Sequence, residues 1–110
     1  MTLRVEWDQD ARKELLRLPV AERRAVMNAI AKLEVFGDRL GAPHTSQVKG
    51  SRVGIRELRP RSGRSPWRAL YRRVAGAMVV VAVGPEAEHD RRGFDQAVRE
   101  AEERLREIEG

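Results

Sequence analysis

Six consecutive apolar residues, Met78-Val79-Val80-Val81-Ala82-Val83, constrain the fold of this chain more than any other stretch. The run falls far short of the roughly 20 apolar residues that cross a bilayer, so no membrane span is expected. A short segment apolar on both faces predicts a strand in a central position of a sheet. Two further strands are predicted just before it, over 53–59 (VGIRELR) and 65–74 (SPWRALYRRV). The Pro/Ser/Gly turn at 60–66 and the short link Ala75-Gly76-Ala77 suit antiparallel neighbours.

The first half of the chain changes period. Leu3, Val5 and Trp7 alternate with polar residues, as in a half-buried strand, and Trp7 is expected in the core. Asp8 offers an N-cap to a short helix whose Ala11, Leu15 and Leu18 share one side, and Pro19 ends it. Val26, Ala29, Ile30, Leu33 and Phe36 then recur at helical spacing up to a capping position at Gly37. Residues 37–50 read as a loop, with His44 solvent-exposed. Phe94, Ala97, Val98, Ala101, Leu105 and Ile108 form the apolar stripe of a last helix. The order β-α-α-β-β-β-α predicts a single α+β domain over residues 1–110: an antiparallel sheet with helices on one face and the other face open.

Composition narrows the chemistry. The chain has no cysteine, which excludes disulfides, thiolate metal sites and thiol nucleophiles. With two histidines and neither a P-loop nor a GxSxG motif, no metal or other cofactor is expected. The first ten residues alternate apolar with charged instead of forming a leader, so a soluble cytoplasmic protein is the expectation. Residues 51–76 hold 8 basic side chains and 1 acid, whereas 77–110 hold 5 and 9. Such a concentrated positive field suits a polyanion, because each cation seated on a phosphate releases condensed counterions. On the strand 65–74, Arg68, Leu70, Arg72 and Val74 should point one way, and Trp67, Ala69, Tyr71 and Arg73 the other.

Several stretches in register carry a family likeness: VEWDQDARKELLRLP at the start, Val48-Lys49-Gly50, Gly54-Ile55-Arg56-Glu57-Leu58-Arg59, and Trp67-Arg68-Ala69-Leu70-Tyr71. With the final apolar strand and terminal helix, the chain resembles the RelE/ParE superfamily of toxins from type II toxin-antitoxin pairs, in its phage-derived HigB-like branch. The resemblance implies a ribosome-dependent endonuclease that cuts mRNA without a metal, by attack of a ribose 2′-OH on the adjacent phosphate, and a cognate antitoxin that silences it. It implies catalytic roles for Arg68 and Arg59 on phosphate, with proton transfer by His89 and Asp90. Asp90 reads equally well as a helix cap. Lys49, Arg56, Arg61, Arg64, Tyr71, Arg72, Arg91 and Arg92 are the implied RNA contacts. Many relatives place cations directly after the last strand; here Gly84-Pro85-Glu86-Ala87-Glu88 intervenes. The alternatives are a ParE-like poison of DNA gyrase and a catalytically decayed module that binds only RNA or an antitoxin.

Overall fold

The computed structural model describes residues 3–110. Strand β1 (Arg4–Trp7) leads into α1 (Gln9–Leu16) and α2 (Val20–Phe36). Three strands follow, β2 (Thr45–Gln47), β3 (Arg56–Leu58) and β4 (Trp67–Val74), then β5 (Ala77–Pro85) and α3 (Arg91–Glu109). The Asp8 carboxylate accepts the N–H groups of Asp10 and Ala11, which fixes the start of α1 as its sequence predicts.

One five-stranded sheet runs β1-β5-β4-β3-β2. As expected, β5 is central, and the fold is α+β. Three features of the expected architecture need correction. The sheet is mixed, because β1 pairs with β5 in parallel, Arg4 beside Ala77 through Trp7 beside Val80. A period-two pattern reports which faces are buried and carries no information on strand direction.

The second correction concerns the open face. Met78 and Val80 join the side chains of α1 and α2 in one core, while Val79, Val81 and Ala82 join Phe94, Ala97, Ala101 and Leu105 of α3 in another. Helices therefore cover both faces of β5. Contact is close enough that a Cβ on Gly84 would lie 2.6 Å from that of Ala97.

The third correction is to the extent of the strands. Within 37–50, Thr45–Gln47 pair with β3 as an edge strand too short to show a period. Conversely, only Arg56–Leu58 of the predicted 53–59 strand pairs with β4. The Ser51 hydroxyl accepts the N–H groups of Val53 and Ile55, at 3.4 and 3.1 Å, and Gly54 takes a positive φ, so 51–55 turns.

Candidate nucleic-acid interface

A cleft of about 570 Å³ opens at one end of the sheet, on the α3 side, with Arg91 and Phe94 of the first turn of that helix in its wall. Lys49 enters from the loop after β2, Glu57 and Arg59 from β3 and its end, Arg68 from β4, Glu86 and Glu88 from the segment after β5, and Arg91 from the start of α3. Arg59 and Arg68 come to the same hollow because β3 and β4 pair in antiparallel register, placing Glu57 across from Leu70 and on the Arg68 face.

Arg68 is not free in that hollow. Its side chain is 4% exposed. Nε donates to Glu57 Oε1 at 3.2 Å, Nη1 to the carbonyls of Ser65 at 2.7 Å and Trp67 at 2.9 Å, and Nη2 to Glu86 Oε2 at 2.5 Å. Nη2 also lies 3.5 Å from the Gly63 carbonyl, so acceptors surround all five N–H groups of the guanidinium. A phosphate could reach this group only by displacing Glu57 or Glu86. Arg68 thus ties the 60–66 turn and the post-β5 segment to the sheet.

Arg59 is different. It is half-buried, its Nη2 lies 3.4 Å from Glu57 Oε1, and its Nε is buried without a hydrogen-bond partner. Lys49 is exposed, and Arg91 is exposed with a solvated contact to Asp95. These two and Arg59 are the cations the cleft offers to an anion.

The other expected site residues lie elsewhere. Tyr71 is 2% exposed on the α1/α2 side, where its hydroxyl shares a 2.8 Å hydrogen bond with Thr45, so no base can stack on it. Arg56 and Arg72 line a separate hollow of about 300 Å³, and Arg72 donates to the Val53 carbonyl and pairs with Glu109. His89 is exposed in the turn before α3 and does not line the cleft. Asp90 is the N-cap of α3, accepting Gly93 N–H at 3.0 Å, and Arg92 is exposed outside the cleft. Proton transfer by His89 and Asp90 would therefore require the turn to move. The carboxylates that do line the cleft are Glu57, Glu86 and Glu88. Glu57 carried one signal in the sequence: it is the single acid of the 51–76 block.

Arg61 and Arg64 sit on the 60–63 turn, whose Arg61 and Ser62 both take positive φ. That conformation costs about 1 kcal/mol or more per residue and must be held from outside. Arg61 donates to Glu22 Oε2 at 2.7 Å and to the Ala21 carbonyl at 3.3 Å, while Ser65 Oγ donates to Glu22 Oε1 at 2.7 Å. The Arg61 and Ser65 hydrogen bonds hold the Glu22 carboxyl below the usual glutamate range. A depressed folded-state pKa adds stability that is present above the unfolded value and lost as pH falls through the folded one. Glu22→Gln should therefore melt below wild type near neutrality, and the gap should close as a thermal-melting series is carried below about pH 4.

Similar folds include a double arginine-to-alanine mutant of the Escherichia coli toxin RelE in the free state, at 20% identity and TM-score 0.64, over 90% of this chain and 97% of that one. The toxin-antitoxin complex RelBE2 from Mycobacterium tuberculosis aligns at 22% identity and TM-score 0.60, over 78% and 100% of the two chains. The archaeal RelE-RelB complex from Pyrococcus horikoshii aligns at 20% and 0.55, over 77% and 96%. No curated protein matches the sequence. The fold is RelE-like. Because the profile of the family described as phage-derived protein Gp49-like (DUF891) matches residues 13–106, nearly the whole chain, the protein belongs to that family.

Proposed function

We propose that this chain is the toxin of a type II toxin-antitoxin pair and that it acts as a ribosome-dependent endonuclease on mRNA. The observation that carries the reading is the convergence of Lys49, Arg59, Arg68 and Arg91 on one cleft of a RelE-like fold. Cleavage by 2′-OH attack needs a base for the hydroxyl proton, fixed cations for the charge growing on phosphorus and an acid for the leaving 5′ oxygen. Arg59 and Arg91 supply positive charge at the cleft wall. Glu57 and Glu86 are the cleft carboxylates that hold Arg68, and a phosphodiester that displaced one of them from Arg68 would free that carboxylate to accept a proton. The proposed partners are a cognate antitoxin, as in the RelE-like complexes with antitoxins, and mRNA on the ribosome.

A second reading has its own observation. The complete engagement of Arg68 and the position of His89 outside the cleft favour a toxin that binds its target without cutting RNA, either a gyrase poison or a catalytically decayed module. Brief expression without a partner, followed by primer extension on cellular transcripts, separates the two. Discrete cuts in translated messages are expected, with Arg59→Ala reducing them by about 100-fold, on the scale of losing one transition-state charge donor. Supercoiling defects with intact messages would favour the gyrase target, and neither effect would point to the decayed module.

A further inference from the structure

A second basic hollow lies on the other side of Arg59. It is a groove of about 360 Å³ between α2 and the 58–61 segment. Arg24, Asn28 and Lys32 line one wall, and His44, Arg59 and Arg61 line the other. The α2 residues are spaced by four, so they form one stripe, with Arg24 and Lys32 about 12 Å apart along the helix. Both are exposed, and neither forms an ion pair among the described residues. The floor is small and apolar: Ala21, Ala25, Ala29 and Leu58.

The two hollows differ in charge balance. Three carboxylates line the cleft, Glu57, Glu86 and Glu88, and two of them hold Arg68. None of the described residues lining the groove is acidic, although Glu22 beside it holds Arg61. Arg59 lines both hollows, and its buried Nε has no partner. Arg59 is thus the one side chain that the two linings share. A track of cations suits a ligand with repeating charge along a flexible backbone, and the alanine floor leaves width beside the stripe for sugars and bases.

We propose that this groove is a second phosphodiester-binding site, in which single-stranded RNA lies along Arg24 and Lys32, crosses Arg59 and enters the cleft. This rests on the reading of the chain as an RNA-directed toxin, but its test is binding and not cleavage. A labelled single-stranded RNA oligonucleotide is titrated with the full chain by fluorescence anisotropy over about 50 to 200 mM salt. Single-strand contacts contribute about 0.7 each to the slope of log affinity against log salt, so Arg24→Ala/Lys32→Ala should lower the slope by about 1.4 and weaken binding at least tenfold at the lowest salt. Arg17→Ala/Arg106→Ala removes the same net charge from exposed positions elsewhere and should leave the slope unchanged.

The proposal is overturned if the two double variants behave alike, or if the wild-type chain does not bind RNA. It is also overturned if polyglutamate binds as tightly as RNA with the same loss on Arg24→Ala/Lys32→Ala, which would assign the groove to an acidic protein partner. Salt-dependent binding that needs Arg24 and Lys32, in a chain that cuts no transcript in cells, would uphold the groove and refute the nuclease reading alone.

Discussion

Arg68→Ala is expected to lower the thermal midpoint by about 12 to 30 °C, a loss of about 3 to 5 kcal/mol, before any effect on chemistry can be measured. The substitution removes a nearly inaccessible guanidinium from between Glu57 and Glu86, whose side chains are 13% and 26% exposed, and leaves Glu86 without a cation and Glu57 with only its 3.4 Å contact to Arg59. It also strips the donors from the Ser65 and Trp67 carbonyls, which hold the entry to β4. Arg68→Lys should recover little, since an ammonium has three donors and no planar fork with which to reach acceptors on four segments. Combining Arg68→Met with Glu57→Gln and Glu86→Gln should restore much of the midpoint, because it removes the uncompensated charges as well as the cation. Should Arg68→Ala melt like wild type and lose only RNA cleavage, Arg68 acts on phosphate directly and its ion pairs are incidental to the fold.

That expectation marks where the sequence was readable. The pattern of 78–83 announced a strand with two apolar faces, and taken at full value it already required cover on both, which α3 supplies. Helix boundaries were legible where the signal is local, as at Asp8, because a cap acts over two or three residues. The resemblance named Arg59 and Arg68 together, and the antiparallel pairing of β3 with β4 brings both to the cleft lining. The burial of Arg68 did not, since its carboxylate partners lie 11 and 18 positions away and only tertiary packing brings them in. The burial of Tyr71, implied by the resemblance as an RNA contact, is illegible for the same reason: its hydroxyl partner Thr45 is 26 residues upstream, on an edge strand without periodic signature. The Arg24–Lys32 stripe carries no distinguishing signal in the sequence because exposed cations on a helix are ordinary, and only the position of α2 against the 58–61 segment sets them in one groove with Arg59.

The charge asymmetry of the sequence also takes a different physical form in three dimensions. Within the basic block, Arg61, Arg68 and Arg72 are each held by a carboxylate of another element: Glu22 for Arg61, Glu86 for Arg68 and Glu109 for Arg72. Much of the excess positive charge therefore crosslinks the sheet to its surroundings. Arg52, Arg56 and Arg64 of the block form no ion pair among the described residues but lie outside both hollows, where the cations open to a polyanion are Lys49, Arg59 and Arg91 in the cleft and Arg24 and Lys32 in the groove. A partner that silenced the protein by occlusion would have to cover this set and not the whole 51–76 ribbon.

The second large effect is expected at the opposite edge of the sheet. Pairing with β1 stops at Trp7, but β5 runs on to Pro85, so an edge of backbone would lie bare between the two helical layers. Side chains take the place of the missing strand. Glu14 of α1 accepts the Val83 N–H at 3.0 Å, and Arg104 of α3 donates to the Val81 carbonyl at 2.8 Å. The two then close on each other through a pair of 3.0 Å hydrogen bonds, Nη1 to Oε1 and Nη2 to Oε2. Burial alone would pull the Arg104 guanidinium down, but the Glu14 hydrogen bonds and the charges of Glu14, Glu100 and Asp8 outweigh it and hold it above the ordinary arginine value. With side chains only 15% and 18% exposed, removing Glu14 takes from Arg104 its two-point partner and leaves it Glu100 and Asp8. Glu14→Ala should therefore cost about 2 to 4 kcal/mol, read as a loss of urea midpoint at unchanged m-value, since it orphans the Val83 N–H and leaves Arg104 with only Glu100 and the more distant Asp8. Glu14→Gln keeps an acceptor for Val83 and should cost less. Hydrogen exchange supplies the positional check: in Glu14→Ala the Val83 amide should lose protection more than those of 67–74, because the clasp acts on the β5 edge and not on its β4 ladder. Equal loss along both strands would mean that Glu14 and Arg104 only join α1 to α3 and do not substitute for a strand.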